Sequence, residues 1–314
     1  MTVFKNISLV CDGLSDETDS FRQALSQTRA NKADLNVLLL PPKLPASYGT
    51  HQEKFQSALM EGVKETLSTV AGELDIELGS FPITYATEVG SRSSVHIVRD
   101  CLRHQRDLVI KQAISASERP GFHAADVELL RKCPAPVWLC RPIMKHRNEI
   151  QVAVAVDPEH EDTPTRDLVI RMVNLARRIA EQCNGTLMVI SAWDFPFERE
   201  LSTNPFLPMM PAEDITAQVN RSRDEHRAKL DTLLSEAGAS EVAVVKHARG
   251  QPDNVVPAQA EADGVDILVM GTVARAHLAG LLIGNTAENV LHKLSCSLLA
   301  LKPSNFVSPI SAYD

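Results

Sequence analysis

The chain has 314 residues, of which 44% are hydrophobic and 23% charged, and this length predicts two globular domains of roughly 150 residues each. Acidic residues number 40 against 32 basic ones, and the formal charge of −8 argues against sequence-independent binding to a nucleic-acid backbone. The six cysteines form no C-x-x-C pair, no apolar run approaches the ~18 residues of a membrane span, and no secretory signal opens the chain, so we expect a reduced, cytoplasmic protein without a membrane span.

Short apolar segments alternate with helical periods through the first half, a pattern typical of strands joined by crossover helices in a parallel sheet. The predicted strands cover residues 7–12, 35–40, 83–88, 107–111 and 137–141. The predicted helices cover residues 18–30, 54–74, 93–104 and 126–133. Within the second helix, apolar residues recur every three or four positions and predict one buried stripe, formed by Phe55, Leu59, Val63, Leu67, Val70 and Leu74.

The second half repeats this order. Its predicted strands cover residues 150–157, 187–193, 242–248, 267–270 and 298–301. Helical periods end at Cys183 and Ala237, where Gly185 and Gly238 supply stop signals, and a last helix is predicted over 287–294. Residues 132–142 also align in register with residues 293–303, which indicates an internal duplication. The sequence therefore predicts an α/β protein of two tandem five-stranded parallel-sheet domains, 1–144 and 148–308, joined by a linker over 142–149.

Three motifs of the second half carry a family resemblance. A strand ends in Asp157, an Arg-Gly-Gln-Pro run over 249–252 precedes a helix, and a strand over 266–271 enters a glycine-containing loop. In that loop Gly-Thr-Val-Ala-Arg (271–275) is followed, after eight residues, by Gly-Asn-Thr-Ala-Glu (284–288). The chain resembles the universal stress protein family over essentially its whole length, as a tandem pair, and the last motif is similar to that of the tandem E-type members. This resemblance implies a Rossmann-like fold, a role in the stress response, and a pseudo-dimer of the two domains.

The resemblance also implies a nucleotide site in the second domain, for ATP or a related nucleotide-linked ligand with Mg²⁺. Asp157 would face the ribose or base, the backbone near Ala192 would contact the adenine edge, and Arg275 would lie beside the phosphates. The family's second glycine is replaced by Ala274. If that position needs a positive φ or a close approach to phosphate, the added Cβ costs on the order of 1 kcal/mol or blocks the contact.

The chemistry of the remaining loop residues suits phosphate. Gly271 and Gly284 let backbone N–H groups approach an anion closely, and residues 284–286 would stand at the N-terminus of the last helix, where the dipole favours phosphate. Thr286 adds a hydroxyl donor or a metal contact, and Asn285 lies between Gly284 and Thr286 in the motif. The alternative is that both glycines only form turns, that Thr286 caps the helix, and that Asp157 closes an Asp-Pro turn.

The first half departs from this pattern. His-Ala-Ala (123–125) stands where Gly-Asn-Thr stands in the second half, and the preceding loop is two residues shorter. Asp12 is retained at the end of the first strand. We therefore expect no nucleotide in this half, a structural role as pseudo-dimer partner, and one ligand per chain.

Other constellations are weaker. Asp157, His160 and His277 are a candidate three-ligand metal set, but there is no H-E-x-x-H motif, and scattered surface histidines, with no metal site, are the favoured interpretation. No G-x-S-x-G turn indicates a serine nucleophile. Four prolines and several apolar residues lie in the connection 194–212. This connection would either pack on a neighbouring surface or form a wall of the site, and in the second case residues 195–211 would hold an apolar ligand tail.

These observations favour a stress-response protein that binds an adenine nucleotide or a nucleotide-linked ligand in its second domain. Hydrolysis of ATP would be slow at most, because Glu288 is the one candidate general base. The alternative is a ligand-free docking scaffold, and an enzyme proper is the least supported class. A homo-oligomer is compatible with either interpretation.

Overall fold

A computed structural model describes residues 3–90, 93–113, 121–159, 162–198, 201, 211–272 and 283–313. These residues form two compact units. The first unit comprises Met1–Lys145, Thr272–Gly284 and Ser295–Asp314, and the second comprises His146–Gly271 and Asn285–Leu294. The main boundary, after Lys145, lies in the predicted linker, whereas the division into repeats 1–144 and 148–308 stays a prediction.

Strands and helices alternate along both repeats. The strands are β1 (Asn6–Cys11), β2 (Asp34–Leu39), β3 (Ile83–Thr87), β4 (Leu108–Gln112), β5 (Val137–Cys140), β6 (Gln151–Ala155), β7 (Thr186–Trp193), β8 (Ala243–Arg249), β9 (Ile267–Gly271) and β10 (Ser297–Leu301). The helices are α1 (Thr18–Asn31), α2 (Gln52–Glu73), α3 (Ser93–His104), α4 (Ala124–Lys132), α5 (Thr163–Cys183), α6 (Ala212–Glu236), α7 (Pro252–Ala262) and α8 (Asn285–Leu291). Short 3₁₀ turns occur at Ala46–His51, Leu78–Ser80 and Arg147–Glu149.

In the first unit the strand order is β3-β2-β1-β4-β5-β10. The first five strands are parallel, and β10 runs antiparallel to β5, with Leu298 opposite Leu139 and Ala300 opposite Val137. Because an uncovered strand exposes unpaired backbone groups, β10 protects the edge that β5 would otherwise present. The sheet reverses its strand order between β1 and β4, and such a reversal opens a crevice at the carboxyl ends of the strands.

In the second unit the parallel strands follow the order β9-β6-β7-β8. Asp162 caps α5 by accepting a hydrogen bond from the Thr165 N–H at 2.9 Å. The helix then buries an apolar face that includes Val173, Ala176 and Ile179. Here the strand order reverses between β6 and β9, so the chain segments that follow these two strands define the corresponding crevice.

The α/β class with two tandem repeats is confirmed, and in the part of the chain that the structure describes each repeat contributes five strands. The prediction for α2 was too broad, since Val63, Leu67 and Val70 are buried whereas Phe55, Leu59 and Leu74 are only half-buried. None of the helices in the described part of the chain is long and apolar enough to cross a membrane.

Gly185 has a different role from the predicted stop signal. The left-handed residue at the end of α5 is Asn184, with φ of 54°. A Cβ on Gly185 would lie 2.2 Å from the carbonyl oxygen of Ile150, so this position needs glycine for space. Gly238, with φ of +62°, does follow α6 in the left-handed conformation that the sequence predicts.

Candidate functional site

Asp157 follows the central strand of the second unit. It is exposed, and its Oδ1 accepts a hydrogen bond from the Glu159 N–H at 3.0 Å. The neighbouring β9 pairs in parallel with β6, with Val154 opposite Val269, so Asp157 and Gly271 leave the same edge of adjacent strands. Asp157 thus forms a turn after β6, as the Asp-Pro turn alternative expects. It also lies at the strand-order reversal, where open α/β sheets bind ligands.

The backbone of Ala192 faces the space just beyond the end of β6. The Val156 N–H donates to the Ile190 carbonyl at 3.0 Å, and the Gly250 N–H donates to the Trp193 carbonyl at 2.8 Å. Since successive peptide groups of a strand turn to opposite neighbours, Ala192 turns its N–H and C=O to the β6 side, as Ile190 does. Because β6 ends at Ala155, the N–H donor and the C=O acceptor of Ala192 border the crevice.

Gly271 ends β9 in contact with α5. A Cβ at this position would lie 3.3 Å from Leu168 Cδ2 and 3.5 Å from Met172 Sδ. Gly271 is not among the described glycines with a positive φ, so the reason for glycine at this position is space and not backbone conformation.

Thr272, which sequence reasoning did not single out, is buried at the start of the loop. Its N–H donates to the Leu301 carbonyl at 3.1 Å, and its own carbonyl accepts from the Gly284 N–H at 3.1 Å. Thr272 is 1% exposed, and its Oγ1 has no hydrogen-bond partner among the described residues. A buried hydroxyl normally has a partner, and the residues that follow Thr272 in the loop lie outside the described part of the chain.

Asn285 and Thr286 are exposed in the first turn of α8, which begins two residues earlier than predicted. Side chains farther along this segment fix it to the start of α7. Asn289 donates to the Asp253 carboxylate at 3.0 Å, and Lys293 donates to Asn254 Oδ1 at 2.7 Å. Because α7 starts just after β8, these bonds tie α8 to an element at the carboxyl edge of the sheet.

A charged cluster at the ends of β7 and β8 explains the Arg-Gly-Gln-Pro motif. The Arg249 guanidinium lies 5.5 Å from the ring centre of Trp193 and is bonded to the Glu198 carboxylate. That bond raises the pKa of Arg249. Gln251 donates to the Asp194 carboxylate at 3.0 Å. Through these bonds, the motif connects the segments that follow β7 and β8.

Two histidines pack beside this cluster. The His226 Nδ1 and the His247 Nε2 lie 2.9 Å apart, and the His247 ring stacks against Trp193 with ring centres 5.9 Å apart. Burial lowers the pKa of both histidines, although Glu159 and Asp157 oppose the shift at His226. The sequence contained no signal for this pair, because α6 and β8 meet only in the folded chain.

Several predicted residues lie outside the described part of the chain. These are Ala274, Arg275, His160 and His277, together with residues 199–200 and 202–210 of the connection predicted to hold an apolar ligand tail. Within that connection the structure describes the edge-to-face contact of Phe195 and Phe197, with ring centres 6.2 Å apart. Among the residues that the structure describes, no three His, Cys, Asp or Glu side chains form a group that would hold a metal ion. All six cysteines are free thiols.

The second half matches a known protein family. Residues 151–302 match the family described as the universal stress protein family. The chain is similar to universal stress protein E of Escherichia coli K12, at 29% identity over 100% of this chain and 99% of that protein. It is 32% identical to the universal stress protein E homolog of Haemophilus influenzae, over 63% of this chain and 62% of that protein. A crystal structure of a putative universal stress protein from Pseudomonas aeruginosa UCBPP-PA14 has the same fold, with a TM-score of 0.71, 24% identity, and coverage of 96% of this chain and 94% of that one.

Proposed function

The chain belongs to the universal stress protein family as a tandem-domain member, and we propose that its second domain binds an adenine nucleotide or a nucleotide-linked ligand. The residues that would contact it are Asp157, Ala192, Gly271, Ala274, Arg275, Gly284, Asn285 and Thr286. Hydrolysis of a bound ATP would be slow or absent.

One observation carries the proposal: Asp157 follows β6 at the strand-order reversal of the second unit, and the backbone of Ala192 on the adjacent β7 lies beyond the end of β6. Asp157 supplies acceptors for ribose hydroxyls or base amino groups. The N–H and C=O of Ala192 match the donor and acceptor pattern of a purine edge. Ligands of open α/β sheets bind outside the carboxyl ends of the strands at such a point, which supports a nucleotide orientation with the base at β6 and β7.

The phosphate end of the ligand would lie on the glycine-containing loop. The N–H of Asn285 and the hydroxyl of Thr286 are the groups that would contact it among the described residues, because the Gly284 N–H already donates to the Thr272 carbonyl. Mg²⁺ would neutralise the phosphate charge, and Thr286 is the hydroxyl residue of the Gly-Asn-Thr-Ala-Glu motif that would contact it. Because no described carboxylate group forms a metal cluster, the phosphates themselves would supply most of the metal's ligands.

Slow turnover follows from the residues at the same end. Glu288 lies in the first turn of α8, where a carboxylate interacts favourably with the helix dipole. Glu288 is the one candidate general base of the motif, and its place in this turn favours a role in the helix itself. The proposal is therefore a binding protein and not an efficient nucleotidase.

The test combines ligand identification with titration. The protein is purified under native conditions and denatured, and any released small molecule is identified by mass spectrometry. Calorimetric titration with ATP then compares wild type with Asp157→Ala, Gly284→Val and a control, Asp224→Ala, which removes an exposed carboxylate on α6 paired with Arg223.

We expect one ligand per chain, with affinity lowered on the order of tenfold by Asp157→Ala and unchanged by Asp224→Ala, because a hydrogen bond to a charged group contributes about 1.5–3 kcal/mol. Gly284→Val should abolish binding. If no molecule is released and wild type binds no nucleotide, the proposal is wrong and the ligand-free docking scaffold is favoured instead. If Asp157→Ala and Asp224→Ala behave alike, the site lies elsewhere.

A further inference from the structure

Two buried cysteines meet between the ends of α3 and α4 in the first unit. Cys101 lies in the last turn of α3, and Cys133 directly follows α4. Their side chains are hydrogen-bonded to each other, and Cys101 and Cys133 are 3% and 0% exposed. The two residues stand on different elements and form no C-x-x-C motif, so only the fold brings their sulfur atoms into contact.

The surroundings of this thiol pair differ from those of an apolar core. The Ala135 N–H is a hydrogen-bond donor to both sulfur atoms. The buried Lys302 ammonium donates to the Leu130 carbonyl at 2.5 Å and to the Cys133 carbonyl. An amide donor and a buried positive charge favour the thiolate, which is the nucleophilic form of cysteine.

The two thiols are not equivalent. The hydrogen bond from Cys101 lowers the pKa of Cys133, and the Lys302 charge acts in the same direction, whereas burial opposes both. The same hydrogen bond, together with burial, raises the pKa of Cys101. Cys133 is therefore the thiol that ionises first, and Cys101 keeps its proton while it contacts the Cys133 sulfur.

Three other cysteines stand in different surroundings. Cys11 and Cys140 are buried, and burial raises the pKa of both. Cys183 is half-buried, and burial raises its pKa as well. Because a thiol that stays protonated reacts slowly with peroxides, these three cysteines are controls within the same chain.

The C-terminal arm, residues 302–313, lies on the ends of both helices beside the pair. Ser308 donates to the Lys132 carbonyl at 2.8 Å, and Arg103 donates to the Ala312 carbonyl at 2.6 Å. The second of these bonds is exposed to solvent. Chain ends held by exposed hydrogen bonds open locally at a low free energy, which gives a molecule as small as hydrogen peroxide a path to the pair.

We propose that Cys101 and Cys133 are a peroxide-reactive thiol pair that forms a reversible disulfide. The Cys133 thiolate attacks one oxygen of hydrogen peroxide, the O–O bond breaks, and the hydroxide that leaves takes a proton from solvent and becomes water. The Cys101 sulfur then attacks the sulfur of the Cys133 sulfenic acid, the S–O bond breaks, and the hydroxide leaves as water with the Cys101 proton. The two thiols lose two electrons to the peroxide. The proposal concerns the first unit alone and does not depend on nucleotide binding in the second.

Peptide mapping of the full-length protein is the test. The reduced protein is treated with hydrogen peroxide, the excess is removed with catalase, and the remaining thiols are alkylated after denaturation. We expect an intact mass lower by about 2 Da before alkylation, a linked peptide pair that contains Cys101 and Cys133, and reversal by dithiothreitol. Cys11, Cys140 and Cys183 should all remain free for alkylation.

Two variants separate the roles of the two sulfur atoms. Cys101→Ser should leave a sulfenic acid on Cys133 that dimedone labels. Cys133→Ser should give neither a disulfide nor a label on Cys101, and a label there would contradict the assignment of Cys133 as the nucleophile. Circular dichroism establishes that each variant is folded, and the map of the wild-type protein decides the proposal if a variant does not fold.

Three results would overturn the proposal. A folded wild-type protein that forms no bond between Cys101 and Cys133 under peroxide would remove the pair as a reactive site. Oxidation of Cys140 as fast as that of Cys133 would mean that the surroundings of the pair confer no reactivity. A disulfide that forms only in urea would mean that the native fold closes the pair to peroxide.

Discussion

Replacing Gly185 with alanine should destabilise the second unit strongly. Gly185 connects the end of α5 to β7, and a Cβ on it would lie 2.2 Å from the carbonyl oxygen of Ile150. The same oxygen accepts a hydrogen bond from the Thr186 N–H at 3.0 Å. Since a real Cβ does not approach a backbone oxygen closer than about 3 Å, the chain must move, and this bond at the start of the β6–β7 pairing is the first contact to be lost.

The expected loss follows from two effects. Forcing an extra methyl group into a packed site costs typically about 1–3 kcal/mol. Loss of one backbone hydrogen bond adds about 1 kcal/mol. The free energy of unfolding should therefore fall by about 2–4 kcal/mol, and each kcal/mol should lower the Tm by about 2–4 °C in a domain of this size.

Urea and thermal unfolding, followed by circular dichroism, measure this loss against a matched glycine. Gly72 lies in α2, where a Cβ meets nothing within 4 Å, and alanine is favoured over glycine inside a helix by about 0.5–1 kcal/mol. Gly72→Ala should therefore be neutral or slightly stabilising. A Gly185→Ala protein that unfolds within 0.5 kcal/mol of wild type, or a Gly72→Ala protein that loses as much stability, would refute the steric argument.

Three further predictions concern the second unit. Gly271→Ala should change the free energy of unfolding by about 1 kcal/mol or less, because the atom nearest to the added Cβ is the flexible end of the Leu168 side chain. The same substitution should weaken ATP binding measured by calorimetry. If the losses in the free energy of unfolding and in the free energy of ATP binding are equal, Gly271 is a packing residue only. Ala274→Gly should tighten ATP binding by about fivefold, corresponding to about 1 kcal/mol, and unchanged affinity would mean that the loop does not approach phosphate at this position. The pKa values of His226 and His247 are lowered in the folded protein, so just below pH 6.5 the unfolded chain binds more protons than the folded one. The contribution of this pair to the free energy of unfolding should therefore be fully present above pH 6.5. It should be lost as the pH falls toward the pKa values of the two histidines in the folded state. His247→Gln keeps a polar group near the Nε2 position but does not titrate, so its urea stability should depend less on pH between 5 and 7; an unchanged slope would contradict this account.

Much of the fold could be predicted because its signals are local. Each buried strand is a short apolar run, and each helix has a period of three to four residues, so the alternation in both halves predicted the α/β class and the duplication. Boundaries differed by a few residues, as for α8, which starts at Asn285 and not at Ala287. The α2 stripe was too broad because periodicity identifies an apolar face but not how much of that face another element covers.

The candidate site was predicted where its chemistry is carried by consecutive residues. Asp157 and Gly271 follow their strands in sequence, and the structure brings them to one edge because β6 and β9 are neighbours. Thr272 was not singled out because a sequence displays neither its burial nor the lack of a partner for its Oγ1 among the described residues. The His226–His247 contact was missed for a related reason, since the two side chains are 21 positions apart on different elements.

The sequence by itself determined the two tandem α/β repeats, their strands and helices, and the positions of the loop residues, because hydrophobic periodicity and glycine placement act over short distances. Tertiary structure alone decided three features: the antiparallel pairing of β10 with β5, the steric need for glycine at 185, and the contact of Cys101 with Cys133 in the first unit. Each of these depends on which distant segments meet. Glu17 shows this most directly, since it lies five residues after Asp12 in sequence, yet only the folded turn brings its carboxylate onto the Asp12 and Gly13 amides.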